Sequence, residues 1–141
     1  MSETRIDRPL SDVDIVLRVA IVGLALGDAY IHSTLGGQLF TLNAIGYVVG
    51  AAAMVVPIAV AVRYRWLIRI GLAGYAATTI AGWIIDPIFY STAYLAKAIE
   101  VALIVLVAMD FVRRDGNPID VISGAIRSLL TRPHGPASGR A

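Results

Sequence analysis

The chain has 141 residues, of which 57% are apolar and 16% charged; it contains no cysteine, carries a formal charge of +2 and has a mean hydropathy of +0.74. A single domain of this size cannot bury so much apolar surface away from water, so the composition excludes an ordinary soluble globule and points to lipid as the solvent. The lack of cysteine excludes thiolate metal centres and disulfide exchange, and the arginines sit mainly where apolar segments end, a membrane-topology pattern that gives no reason to expect a nucleic-acid partner.

The apolar runs are long and do not alternate, which reads as helices and not as the period-2 strands of an outer-membrane barrel. A polar stretch, Met1 to Ser11, leads into a full-length span without a small-residue cleavage site, so no removable signal peptide is expected. Ser11 followed by Asp14 has capping-box spacing, and the run from Ile15 to about Leu35 is long enough to cross an apolar layer of about 30 Å at about 1.5 Å per residue. Gly36, Gly37 and Gln38 form a short turn into a second span from about Leu39 to Val62, which Pro57 should bend near its end. Arg63, Tyr64, Arg65 and Trp66 mark a membrane surface, and a third span runs from about Leu67 to Ile85, with Arg69 close enough to that surface to snorkel. Asp86 and Pro87 read as N-cap and first position of a fourth span ending at Arg113 and Arg114. The expected fold is all-α: an antiparallel four-helix transmembrane bundle over residues 1–114. Arginines flank the N-terminus, the link between spans two and three and the C-terminus, so both termini are expected in the cytoplasm of a bacterium, with the chain in its inner membrane.

Residues 115–132 carry a separate signature: a cap at Asn117, Pro118 at the first helical position, and Ile119, Ile122, Ile126, Leu129 and Leu130 at helical spacing. An amphipathic helix on the cytoplasmic surface is expected there, with Arg114, Arg127 and Arg132 meeting anionic headgroups. The Pro, Gly, Ser and Ala composition of residues 133–141 predicts a disordered tail.

Lys97, the only lysine, lies within the apolar stretch from Ile88 to Met109, with Glu100 one turn further on. A charge at the bilayer centre costs about 2.5–3.5 kcal/mol on insertion scales, so such residues are expected to be paired or used. At about 100° per residue, Asp14, Arg18, Ile21, Ala25, Asp28 and His32 share one face of span one, and Gly23 and Gly27 the opposite one. The corresponding stripes are Asn43, Gly46, Tyr47, Gly50 and Met54 in span two; Gly71, Tyr75, Thr78, Thr79 and Gly82 in span three; and Asp86, Tyr90, Tyr94, Lys97, Glu100 and Ile104 in span four. Antiparallel spans one and four bring Asp28 and Lys97 to within about 5 Å in depth. Asp28 is thus the expected counter-ion of Lys97, in a neutral network of Arg18, Asp28, His32, Lys97 and Glu100. Small residues at Gly23/Gly27, Gly46/Gly50 and Gly74/Thr78/Gly82 are expected to bring helices close while the ion pair sets their register. The competing interpretation of the same charges is a proton relay.

His32 and His134 are the only histidines, and His134 lies in the tail, so no bis-histidine haem site fits within one chain. Asp28 and His32 could supply two metal ligands, but the others would have to come from Asn43, Asp86 or a partner chain; no metal or cofactor is assigned. The aromatics Tyr30, Phe40, Trp83, Phe89 and Tyr90 on one side and Tyr64, Trp66 and Phe111 on the other read as membrane belts. No phosphate loop or nucleophile elbow is present, no catalytic residue is assigned, and an enzyme is not expected.

The runs LFTLNAIGYVVG, opening span two, and YLAKAIEVALIVLV, in span four, resemble segments of small bacterial four-span membrane proteins with no assigned activity, a likeness covering Tyr30 to about Met109. It implies the four-span fold and brings no functional residue. A looser resemblance to DoxX-like four-span proteins and to small multidrug transporters concerns size and span number only. The latter couple transport through a lone acidic residue in the first span, for which Asp28 is a partial counterpart; Lys97 has none, which argues against drug transport. The expected function is a non-enzymatic accessory or structural subunit, partnered by the bilayer and by other membrane subunits or copies of itself. The alternatives are a proton-coupled transporter or channel, and an enzyme subunit holding a lipid, quinone or metal.

Overall fold

A capping box opens the first helix: the Ser11 hydroxyl accepts the Asp14 N–H at 3.3 Å and the Asp14 carboxylate accepts the Ser11 N–H at 3.0 Å. The computed structural model describes residues 9–87 and 89–131, and among these it contains helices and connecting turns but no strand. Helix α1 spans Asp12–Thr34, α2 Gln38–Val55, α3 Ala59–Arg63, α4 Arg65–Ile85, α5 Ser91–Arg114 and α6 Pro118–Leu130. Three of them, α1, α2 and α4, are long and apolar enough to cross a membrane. The tail at 133–141 and His134 lie outside the described residues.

Proline sets two boundaries differently from the sequence expectation. Pro57 does not bend span two; it ends it. Val56, directly before it, is held extended at φ −60°, ψ 125°, so α2 stops at Val55 and the chain resumes as the short α3. Likewise Asp86 does not cap the fourth helix. Pro87 forces Asp86 out of helical geometry, at φ −129°, ψ 78°, so Asp86 closes α4 by donating its N–H to Gly82 O, and α5 begins at Ser91 after an extended Tyr90. The α1–α2 link is tight because Gly36 and Gly37 take φ of 70° and 86°, a region that L side chains avoid.

Such short links make successive helices antiparallel. α1 packs on α2 and α5, and α4 packs on the same two, closing a ring of four. One end of the ring gathers the start of α1, the start of α4 and the end of α5, and is rich in arginine; the two tight links lie at the other. Between them the core is apolar: Ile21, Ala25, Tyr47, Ala51, Met54, Leu72, Ala76, Leu103 and Val107 are buried together.

The distribution is inverted relative to a water-soluble bundle. Asp28, Glu100 and Asp110 are fully buried, whereas Val19 and Leu39 are 67% exposed and Ile85 84% exposed. In water that arrangement would be doubly unfavourable, for the buried charges and for the uncovered apolar surface; in lipid the second cost vanishes. The buried faces also differ from the expected stripes. In α4 the inward residues are Arg69, Leu72 and Ala76, with Gly71, Thr78 and Gly82 turned outward. In α5 the buried line is Ala93, Ala96, Glu100, Leu103, Val107 and Asp110, which leaves Tyr94 outside and Lys97 on the rim.

Of the six glycines expected to pack helices, two do so in this chain. A Cβ at Gly46 would overlap the Tyr75 ring and hydroxyl, and one at Gly50 would come within 2.7 Å of Leu72 Cδ1, so α2 and α4 approach closely there. Gly23, Gly27, Gly74 and Gly82 face open space. A Cβ added at any of those four would meet nothing within 4 Å among the described residues.

Candidate functional site

Two polar clusters occupy the interior, one in each half of the ring. In the half nearer the tight links, Asp28 and His32 lie one turn apart on α1, and Glu100 of α5 faces them. The backbone carbonyl of Asp28 can only accept, so His32 Nδ1 donates to it, at 3.0 Å. The other ring nitrogen of His32, Nε2, lies 3.9 Å from Glu100 Oε1. The Asp28 carboxylate lies 3.5 Å from Nδ1, and neither of its oxygens has a hydrogen-bond partner among the described residues. Aromatic rings close the cluster: His32 packs 6.2 Å from Phe40 and 5.7 Å from Tyr47, whose ring meets Tyr75 edge-on at 5.0 Å. The Tyr47 and Thr79 hydroxyls are bonded at 3.0 Å, and the Tyr75 hydroxyl donates to Asn43 Oδ1 at 3.0 Å.

Lys97 takes a different partner from the one its depth suggests. Its Nζ donates to both oxygens of Glu100, at 2.7 and 2.6 Å, and not to Asp28. The reason is rotational. The buried line of α5 runs through Ala96 and Glu100, so Lys97 enters from the rim, with 15% of its side chain exposed, and meets Glu100 on its own helix first. Arg18 does not join this network either, because it is ten residues from Asp28 along α1, about 15 Å away. Its charged neighbours are Asp110, Asp14, Arg69 and Arg114.

Those residues form the second cluster, at the arginine end. Arg69 is 2% exposed; its Nε donates to Asp110 at 2.6 Å and its Nη1 to Asp115 at 2.7 Å. Asp14 is flanked by Arg113 and Arg114, each at 3.4 Å. Burial pushes the Asp115 carboxyl above its ordinary pKa, while the neighbouring Arg69 opposes the shift. The sequence suggested a snorkelling Arg69 and assigned Asp110 no role. A depth comparison could have found the pair, since Arg69 is four residues from the start of α4 and Asp110 four from the end of the antiparallel α5.

Between the clusters lies a dry layer. From Glu100 to Asp110 the axis of α5 advances about 15 Å, and the level between is filled by Ile21, Met54, Leu72, Leu103 and Val107, all buried. The polar groups can therefore bind or balance charge locally, without a polar path from one cluster to the other among the described residues. No protein-family model matches the chain, and no curated protein or solved structure matches it.

Proposed function

We propose that this protein is a four-span integral membrane protein that serves as a non-enzymatic accessory or structural subunit, in a larger membrane complex or in an oligomer of itself. The inverted packing carries the proposal: ionisable side chains inside, large aliphatic side chains outside, around the whole ring. α5 is the fourth span, its 24 residues being sufficient in length and its Lys97 and Glu100 neutralising one another. The arginine end faces the cytoplasm of a bacterial cell, which puts both termini there. α6 lies on the same membrane surface, with Ile119, Ile122, Ile126 and Leu130 exposed and able to enter the headgroup region.

The glycine face of α1 is the docking face for a partner chain. Gly23 and Gly27 meet nothing within 4 Å, and a second helix could approach closely there. The dry layer between the clusters supports a subunit over a proton pathway. Isolation in mild detergent tests the proposal: the chain should leave the membrane as an oligomer or with partner subunits, and Gly27→Leu should detach them while leaving the monomer folded. A lone monomer in every mild detergent, or a reporter fused at Ala141 that is active only outside the cytoplasm, would contradict it.

A further inference from the structure

The half of the bundle near the tight links holds two buried carboxylates and one lysine. Asp28 and Glu100 bring two carboxylates into apolar surroundings, Lys97 supplies one cation, and that cation is spent on Glu100. Neither oxygen of the fully buried Asp28 makes a hydrogen bond among the described residues, the nearest donors being the Tyr47 hydroxyl and His32 Nδ1, the latter at 3.5 Å. A buried carboxylate in this condition is costly unless something positive completes it.

One ligating atom from each of Asp28, His32 and Glu100 lies within 4.8 Å of the other two. A tetrahedral ion with bonds of about 2.0–2.2 Å places its ligands roughly 3.3–3.6 Å apart, so small side-chain rotations bring the three atoms into range. His32 Nδ1 donates to a backbone carbonyl, the outer contact that a metal-binding imidazole makes, which leaves Nε2, 3.9 Å from Glu100 Oε1, as the nitrogen available to an ion. Glu100 can bind through Oε1 and still keep Oε2 on Lys97 Nζ, which fixes the carboxylate from outside. We infer that Asp28, His32 and Glu100 form a binding site for one divalent transition-metal ion, of the kind one imidazole and two carboxylates suit, such as Zn2+. Three protein ligands leave a fourth position for water or a small anion. The inference rests on side-chain geometry and stands apart from the subunit proposal.

The test uses the full-length protein in mild detergent, free of any histidine tag and stripped with a chelator, titrated with Zn2+. One ion should bind per chain and raise the unfolding temperature. Asp28→Asn and His32→Gln should each weaken binding by more than the roughly 10–100-fold that an outer partner of a metal ligand contributes. Should the ligand variants not fold, the Co2+ form of the wild-type chain decides: its electron-spin spectrum should show one coordinated imidazole nitrogen. Absence of that nitrogen, absence of any Zn2+ binding, or equal Zn2+ binding by the Asp28→Asn and His32→Gln variants would each overturn the inference. The last outcome would place the ion on surface carboxylates.

Discussion

Replacing Arg69 with methionine distinguishes a buried ion pair from a surface one. A snorkelling arginine at the membrane surface would lose at most about 1 kcal/mol of pairing energy on substitution. In the structure, however, the guanidinium is buried and bonded to Asp110 at 2.6 Å and to Asp115 at 2.7 Å. Asp110 is fully buried and one of its oxygens already has no hydrogen-bond partner among the described residues, so the substitution removes the group that holds its charge. Breaking one side of a buried pair costs about 3–5 kcal/mol, most of it the desolvation of the group left behind. Asp115 should contribute less, because 22% of its side chain is exposed and can turn to water. Arg69→Met should therefore lose about 3–5 kcal/mol, and the double change Arg69→Met with Asp110→Leu should recover most of that loss, since it removes the stranded carboxylate. Reversible unfolding in mixed micelles, followed by helical circular dichroism across a denaturing-detergent titration, measures both. A loss of about 1 kcal/mol or less for the single variant would refute the buried-pair account, as would a double variant no more stable than the single.

The same logic at the other cluster makes Lys97→Met with Glu100→Leu more stable than Lys97→Met alone, whereas Lys97→Met with Asp28→Leu should give no comparable recovery; the reverse order in the same titration would restore Asp28 as the lysine's partner. Gly50→Leu should destabilise the fold by about 1–3 kcal/mol through overlap with Leu72, while Gly74→Leu, whose Cβ meets nothing within the chain, should leave the monomer's unfolding midpoint unchanged; equal losses at the two sites would mean that the α2–α4 contact is not the close one. Ser11→Ala should cost about 0.5–2 kcal/mol through loss of the α1 capping box, read from the same midpoint, and no loss would show that tertiary contacts alone hold that end. Reconstituted vesicles under an imposed potential should show no proton flux above empty vesicles, because Leu103 and Val107 fill the level below Glu100; a flux abolished by Glu100→Gln would promote the relay.

The membrane character was legible in the sequence because it is a property of composition and period. Long apolar runs dictate helices whose outer faces need lipid, and the start of α1 follows from Ser11 and Asp14 through contacts only three residues apart. The inward face of α1, with Asp14, Asp28 and His32 buried, was likewise readable from spacing alone. What lay beyond the sequence was rotation and partner choice. Whether Lys97 meets Asp28 or Glu100 depends on how far α5 turns about its axis, and that rotation is set by how Ala93, Ala96, Leu103 and Val107 fit against the two neighbouring helices, α1 and α4, a tertiary packing that no local spacing encodes. The orphaned Asp28 carboxylate follows from the same rotation: with Lys97 on the rim and Glu100 at the centre, two carboxylates and an imidazole face one another across α1 and α5 with one cation too few.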